Sequence, residues 1–394
     1  MLASLTGCKR SRSAEDAGPD GGLGARWPTT SFSIAAGNLD VEIAGRTAND
    51  QGDPVQGLRL TELLLVRGQY LAKIEDYDRA DAISVALTTN HPQSAVAHLA
   101  RALAHGALHR FEQALHELDE AATATGGGVS RARVDGVRAG IFMTIGRYDD
   151  AAKLTPPVTE ASSPLELANA AVLAARMQKP DEAERLFERA RATSHDVSPF
   201  PLAGMDYQRA TLLDARGRET EARAYYAEAC DVIPLYVHAV VHLAATDPSD
   251  RAITRLEEVR KQSSDADLLA ALATAHRKAG HDDAAKRLTE EARTRYDALV
   301  AKHPEAFWDH AARFWLGPGD DPKRAIELAE KNARLRPTEE ALDLFMAAAA
   351  AADRPEKLCA SAAAMAQLRW GSPERKRLAN AALRACPDAS PRED

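Results

Sequence analysis

One phrase recurs along this chain, and it leaves little room for any fold but a stack of helical hairpins. The phrase is a short turn, one or more polar or acidic residues, then an alanine that opens an amphipathic helix. Its clearest copies are Glu75–Ala80, His109–Ala114, Gly146–Ala151, Gln178–Ala183 and Gly217–Ala222. Weaker copies end at Ala252, Ala285, Ala325 and Lys357. Successive anchors lie 30 to 40 residues apart. A period in that range marks a repeat array, in which each unit buries its apolar flanks against its neighbours.

Composition agrees with such an array. Apolar residues make up 45% of the chain and aromatics only 5%. Abundant alanine favours helix, and short β-branched runs argue against a large sheet. The net charge is −8 with both signs interspersed, and no basic stripe suggests nucleic acid. No run of about 18 apolar residues offers a spanning helix.

Two further regularities sharpen the pattern. Twelve residues before the anchor stand Gly68, Ala102, Ala139, Ala171, Ala210 and Ala273, while Val240, Arg313 and Phe345 break the rule. Seven residues after it stand Ala121, Ala190, Ala229, Ala292 and Ala364, and Pro92, Pro234 and Pro337 close units. In these features the chain resembles the tetratricopeptide-repeat (TPR) family, whose period is about 34 residues. The family's first-helix tryptophan is missing, replaced by residues such as Leu64, Leu167 and Leu269.

The resemblance implies an all-α, TPR-like α-solenoid, a right-handed superhelix with a concave inner face. About nine repeats would fill residues 57–371, and a capping helix and tail would fill 372–394. Small residues at the crossing points let paired helices approach closely. Pro156-Pro157 should end the second helix of the third unit early, and Gly126 to Gly128 mark a joint before that unit.

The first 56 residues lie outside the repeats. Leu5-Thr6-Gly7-Cys8 resembles the lipobox of bacterial lipoproteins, which implies acylation of Cys8. A polar, Gly- and Ser-rich tether follows, and residues 1–27 are assigned to this truncated signal and tether. Only seven residues precede Cys8, fewer than a charged stretch plus an apolar core require. The expectation is a start codon further upstream; the alternative is an accidental match in a disordered cytoplasmic tail. Residues 28–56 form an extended segment. Within it, Ser31 to Ile34 and Leu39 to Ile43 alternate around a Gly37-Asn38 turn signal, so a small β-hairpin is expected there.

No GxSxG, HExxH, Walker loop or dinucleotide-binding fingerprint occurs, so the chain reads as a binding protein and not an enzyme, with no cofactor. Histidines 91, 98, 105, 109 and 116 do not converge, and His238 and His242 lack a visible third ligand. The densest aromatic stretch is His303 to Gly319. By alignment with the TPR family, Phe307, His310 and Phe314 fall on the concave side, where they would anchor a partner. Trp308 and Trp315 would share another face, packed on the preceding hairpin. Tyr207, Arg277, Gln69 and Arg133 are further candidates of the groove, which would also take in Glu62, Leu65, Gly136, Gly140, Asp214 and Asp267.

Cys359 and Cys386 flank a turn near Gly371, where antiparallel packing would bring them together as a disulfide; independent thiols are the alternative. A bond there fits only an oxidising compartment. The resulting expectation is a protein- or peptide-binding scaffold. It would face the periplasm from the cell envelope, touching the membrane only through a lipid anchor, if the lipobox is genuine. Otherwise it would be a soluble cytoplasmic adaptor.

Overall fold

Eight of the turns inside the hairpins are built on one residue in left-handed conformation, the first of them on Ala72. His109, Gly146, Gln178, Gly217, Gly280, Asp320 and Asp353 all take positive φ. Those from His109 to Asp320 stand five residues ahead of Ala114, Ala151, Ala183, Ala222, Ala285 and Ala325, all of which are buried. A left-handed residue satisfies the last carbonyls of one helix and reverses the chain into the next. The alanine can then sit at the closest approach of the pair.

The structure, a computed structural model, describes residues 28–49, 51–125 and 128–386. It begins with α1 (Phe32–Ala48). Nine hairpins follow among the described residues: α2 (Pro54–Leu71) with α3 (Ile74–Asn90), α4 (Ala95–Ala107) with α5 (Phe111–Thr123), and α6 (Arg131–Thr144) with α7 (Tyr148–Leu154). Next come α8 (Pro164–Arg176) with α9 (Pro180–Ala192), α10 (Pro199–Asp214) with α11 (Glu219–Val232), and α12 (Val237–Ala245) with α13 (Ser249–Arg260). The last three are α14 (Ala266–Lys278) with α15 (Asp282–Lys302), α16 (Pro304–Leu316) with α17 (Pro322–Leu335), and α18 (Glu339–Ala351) with α19 (Pro355–Gln367). A final helix, α20 (Pro373–Leu383), covers the end. The chain is therefore an all-α solenoid.

Most first helices are started by a side chain. Asp53, Ser94, Ser130, Ser163, Asp265 and Thr338 each accept a backbone N–H from the first turn. Most second helices have no such cap, because the left-handed turn already delivers the chain in helical register. α7 has only seven residues and ends just ahead of Pro156-Pro157, which remove backbone donors.

The expected hairpin at Ser31–Ile43 is instead the body of α1. Leu39 and Ile43 are buried with Ala35 against α2, whereas Val41 is 73% exposed. A strand would have put all of Leu39, Val41 and Ile43 on one face; a helix puts Val41 on the opposite side.

Two registers also shift. The turn Gly317 to Asp321 carries extra residues, so the small residue of that unit is Ala311, fully buried, and Arg313 points out. In the last unit Asp353 precedes Leu358 by five, so Leu358 and not Lys357 takes the anchor place, with buried Met365 seven residues on. Ala364 is exposed.

The solenoid closes on itself. Tyr70 of α2 lies 5.4 Å from the Phe200 ring and 5.0 Å from the Tyr236 ring, measured between centroids. The approach requires Gly204, since a Cβ there would stand 2.2 Å from the Tyr70 hydroxyl. Further along the same seam, Asp78 of α3 meets Lys302 and His303, each at 2.7 Å. A second seam joins the third and fourth hairpins to the C-terminal end. Trp370 donates to Asp149 at 3.2 Å, Gln178 donates to the Trp370 carbonyl at 2.9 Å, and Arg176 pairs with Glu340.

Candidate functional site

Closure turns the concave face into a lumen. α10, α12, α14 and α16 are first helices of successive hairpins, so their inner faces converge on it. Tyr207 on α10 is half-buried, 5.1 Å from the Tyr236 ring and 6.2 Å from the His238 ring. His310 on α16 lies 6.1 Å from both the His238 and Phe307 rings. Three of the sequence candidates, Tyr207, Phe307 and His310, thus come together.

The other candidates behave differently. Phe314 is only 2% exposed and packs on Tyr296 at 4.9 Å and Trp315 at 4.9 Å. It stands seven residues from Phe307, on nearly the same face of α16, but Tyr296 and Trp315 cover it, so it offers no surface to a partner. Gln69 stands exposed on α2 and reaches the Tyr236 hydroxyl. Arg277 is exposed and donates to the Pro318 carbonyl at 3.2 Å. Arg133 is exposed and paired with Glu62 of the first hairpin. Trp315 is buried, with the Arg324 guanidinium 4.1 Å above its ring. Cys359 and Cys386 are joined as a disulfide, with Cα atoms 5.9 Å apart, which pins α20 to α19. Cys8 lies outside the described residues.

Sequence reasoning did not assemble the charged residues of the lumen. His310 donates from Nδ1 to Asp267 at 2.7 Å, and Tyr296 donates to the other Asp267 oxygen. Asp309 pairs with Arg336 at 2.7 Å. Burial opposes charge on His310, but Asp267 and Asp309 outweigh it and raise its pKa to about 10. The same partners hold both aspartates below the usual carboxylate range, against the burial that would raise them. His310 keeps 31% of its side chain accessible, and that part faces the lumen. An imidazole that holds its proton so tightly is poorly matched to acid–base work near neutral pH. It acts as an electrostatic strut between α14 and α16. His238 and His109 are driven down to about 4, chiefly by burial, and stay neutral.

Two cavities open along the lumen. The smaller, of about 140 Å³, is lined by Tyr77, His238, Asp265, Asp267, Phe307 and His310 among others. The larger, of about 490 Å³, lies between α6, α8 and α10 on one side and α16 to α18 on the other. Its polar wall includes Asn169, Arg176, Gln208, Arg313, Asn332 and Arg336 beside the acids Asp309 and Glu340. Arg176 and Arg336 are committed to Glu340 and Asp309. Arg313 has no ion pair among the described residues. No group of three metal-binding side chains converges among the described residues, and no helix there is long and apolar enough to cross a membrane.

No protein-family model matches the chain, and no curated protein matches it. Solved structures do. The chain is similar to the APC/C hetero-tetramer Cut9–Hcn1, at 12% identity and a TM-score of 0.45, over 83% of this chain and 63% of that one. It is similar to the human IFIT1 dimer with PPP-AAAA, at 14% identity and a TM-score of 0.38, over 84% and 73%. It is also similar to the C-terminal part of a TPR repeat-containing protein from Cytophaga hutchinsonii, at 13% identity and a TM-score of 0.32, over 64% and 96%. Solved structures similar to this chain thus include a TPR repeat-containing protein.

Proposed function

We propose that this chain is a protein–protein interaction scaffold. It takes a peptide or a partner's loop into the larger cleft, between α6 to α10 and α16 to α18, and a lipid on Cys8 holds it at the cell envelope. The observation that carries the binding reading is the cleft of about 490 Å³ walled by the third to fifth hairpins on one side and the last two on the other. That volume falls within the roughly 300–1,000 Å³ of ligand sites. Its amide and guanidinium donors suit backbone carbonyls and carboxylates of an extended segment.

The Cys359–Cys386 bond supports an oxidising compartment and favours the envelope over the cytoplasm. Both halves of the proposal are tested in the native cell. A photo-crosslinking residue replaces Gln208 in the cleft, or Glu327, which is exposed on α17. A discrete partner adduct is expected from position 208 only; equal yields from both would overturn the cleft as the binding site. Cys8→Ser should release the protein from the membrane fraction, and continued sedimentation with membranes would sink the anchor.

A further inference from the structure

The charges around the smaller cavity do not balance. Asp267 is committed to His310 and Tyr296, and Asp309 to Arg336. Asp265 is left over. It is 9% exposed, and its Oδ1 accepts the backbone N–H groups of Asp267 at 2.8 Å and Leu268 at 3.3 Å, capping α14. Its Oδ2 has no hydrogen-bond partner among the described residues. A buried carboxylate with no countercharge is costly. Burial, reinforced by Asp267 beside it, pushes its pKa above the usual carboxylate range. The site is poised to take a proton or a cation.

The rest of the lining selects a cation. Tyr77, Tyr296, Phe307 and His238 line the same cavity as the carboxylate, and aromatic rings attract ammonium groups. The Tyr77 hydroxyl has no hydrogen-bond partner among the described residues, so it offers an acceptor oxygen. His310 supplies the one positive charge in the lining, and Asp267 already uses it. The cavity's 140 Å³ is close to the ~150 Å³ that accommodates benzene. That is enough for the five heavy atoms of a lysine side-chain tip or a butylammonium ion.

We infer that this cavity recognises a primary ammonium group, held between the Asp265 carboxylate and the rings of Tyr77, Tyr296 and Phe307. The inference deepens the scaffold reading and rests on the lumen being the recognition surface. It names what a partner brings there, a lysine side chain, or else a free alkylamine of the same chemistry.

The test is calorimetric titration of the full chain with n-butylammonium and, separately, with Nα-acetyl-lysine amide. Butanol and butyrate are the neutral and anionic controls. A five-atom ligand is expected to bind with a Kd of about 1 mM, while the controls give no saturable heat. Asp265→Asn keeps the helix cap, since asparagine caps as well as aspartate, and should weaken amine binding about tenfold or more with the melting temperature unchanged. Tyr77→Phe keeps the ring and should weaken it less. Binding of both amines assigns the site to a lysine side chain; binding of butylammonium alone assigns it to a free amine. If neither amine titrates, or if Asp265→Asn binds them as wild type does, the cavity holds only water and the inference falls. A partner adduct at position 208 without amine binding would sink this inference and leave the scaffold reading standing.

Discussion

Breaking the Cys359–Cys386 bond should loosen one end of the molecule and the seam it makes with the third and fourth hairpins, and leave α10 to α15 unchanged. The bond spans 27 residues. In the chain-entropy account, closing a loop of that length stabilises the folded form by about 3.5 kcal/mol. That corresponds to about a 300-fold change in the local opening equilibrium. The loop contains the second half of α19 and all of α20. Other contacts hold the same region: Ser372 donates to Glu339, and Arg375 pairs with Asp343 at 2.9 Å. Beyond α18 and α19 the loop reaches the third and fourth hairpins through Trp370, so the loss should stay with that seam and the end of the chain and spare α10 to α15. The assay is native-state hydrogen exchange on the oxidised protein, the reduced protein and the Cys359→Ala/Cys386→Ala variant. Amides between 359 and 383 should lose protection by up to about 300-fold, while α10 to α15 stay within experimental error. A change of less than about threefold in α20 would mean that the bond adds nothing to the end cap. Loss of protection along the whole chain would refute the unit-by-unit account.

Two other perturbations separate roles that the sequence ran together. Phe314→Ala removes a buried ring packed on Tyr296 and Trp315 and should cost about 3–5 kcal/mol, read as a large drop in the urea midpoint; Phe307→Ala, at a half-buried position on the lumen, should cost clearly less. His310 has its pKa raised to about 10. The stability it contributes is therefore full below its unfolded value of about 6.5 and is lost as the pH climbs toward 10. Urea midpoints at pH 7.5 and 9.5 should fall for wild type more than for His310→Gln, and parallel falls would remove the strut.

The repeat was legible because alanines at helix crossings recur at fixed spacing, and nearly all of them are buried where that spacing put them. One register slipped where a turn changed length, at Gly317 to Asp321, and the other where Leu358 stands in the place of the usual alanine after Asp353. The segment 31–43 was misread because a five-residue window, Leu39 to Ile43, satisfies both a two-residue and a four-residue periodicity. The burial of Leu39 and Ile43 against α2 decides between them, and that contact has no local trace. Phe314 looked like an anchor for the same reason that Phe307 did, since family alignment assigns a face without knowing what the neighbouring helix brings to it. The charged lumen was the least visible part. Asp78 and His303, or Gln178 and Trp370, are separated by some 200 residues, and nothing in the local sequence of either partner records the other.

Closure of the solenoid is the claim on which the lumen, the cleft and the ammonium cavity all depend, and a zero-length crosslink tests it. Lys302 Nζ and the Asp78 carboxylate are 2.7 Å apart across the seam, so carbodiimide treatment of the monomer should join the peptides carrying residues 78 and 302 by an amide bond. The Lys357–Glu330 pair at 2.6 Å, which lies between adjacent hairpins, serves as the internal standard. Recovery of both crosslinked peptides in comparable yield is the predicted result. Recovery of the 330–357 link without the 78–302 link would show an open ribbon whose first and seventh hairpins never meet.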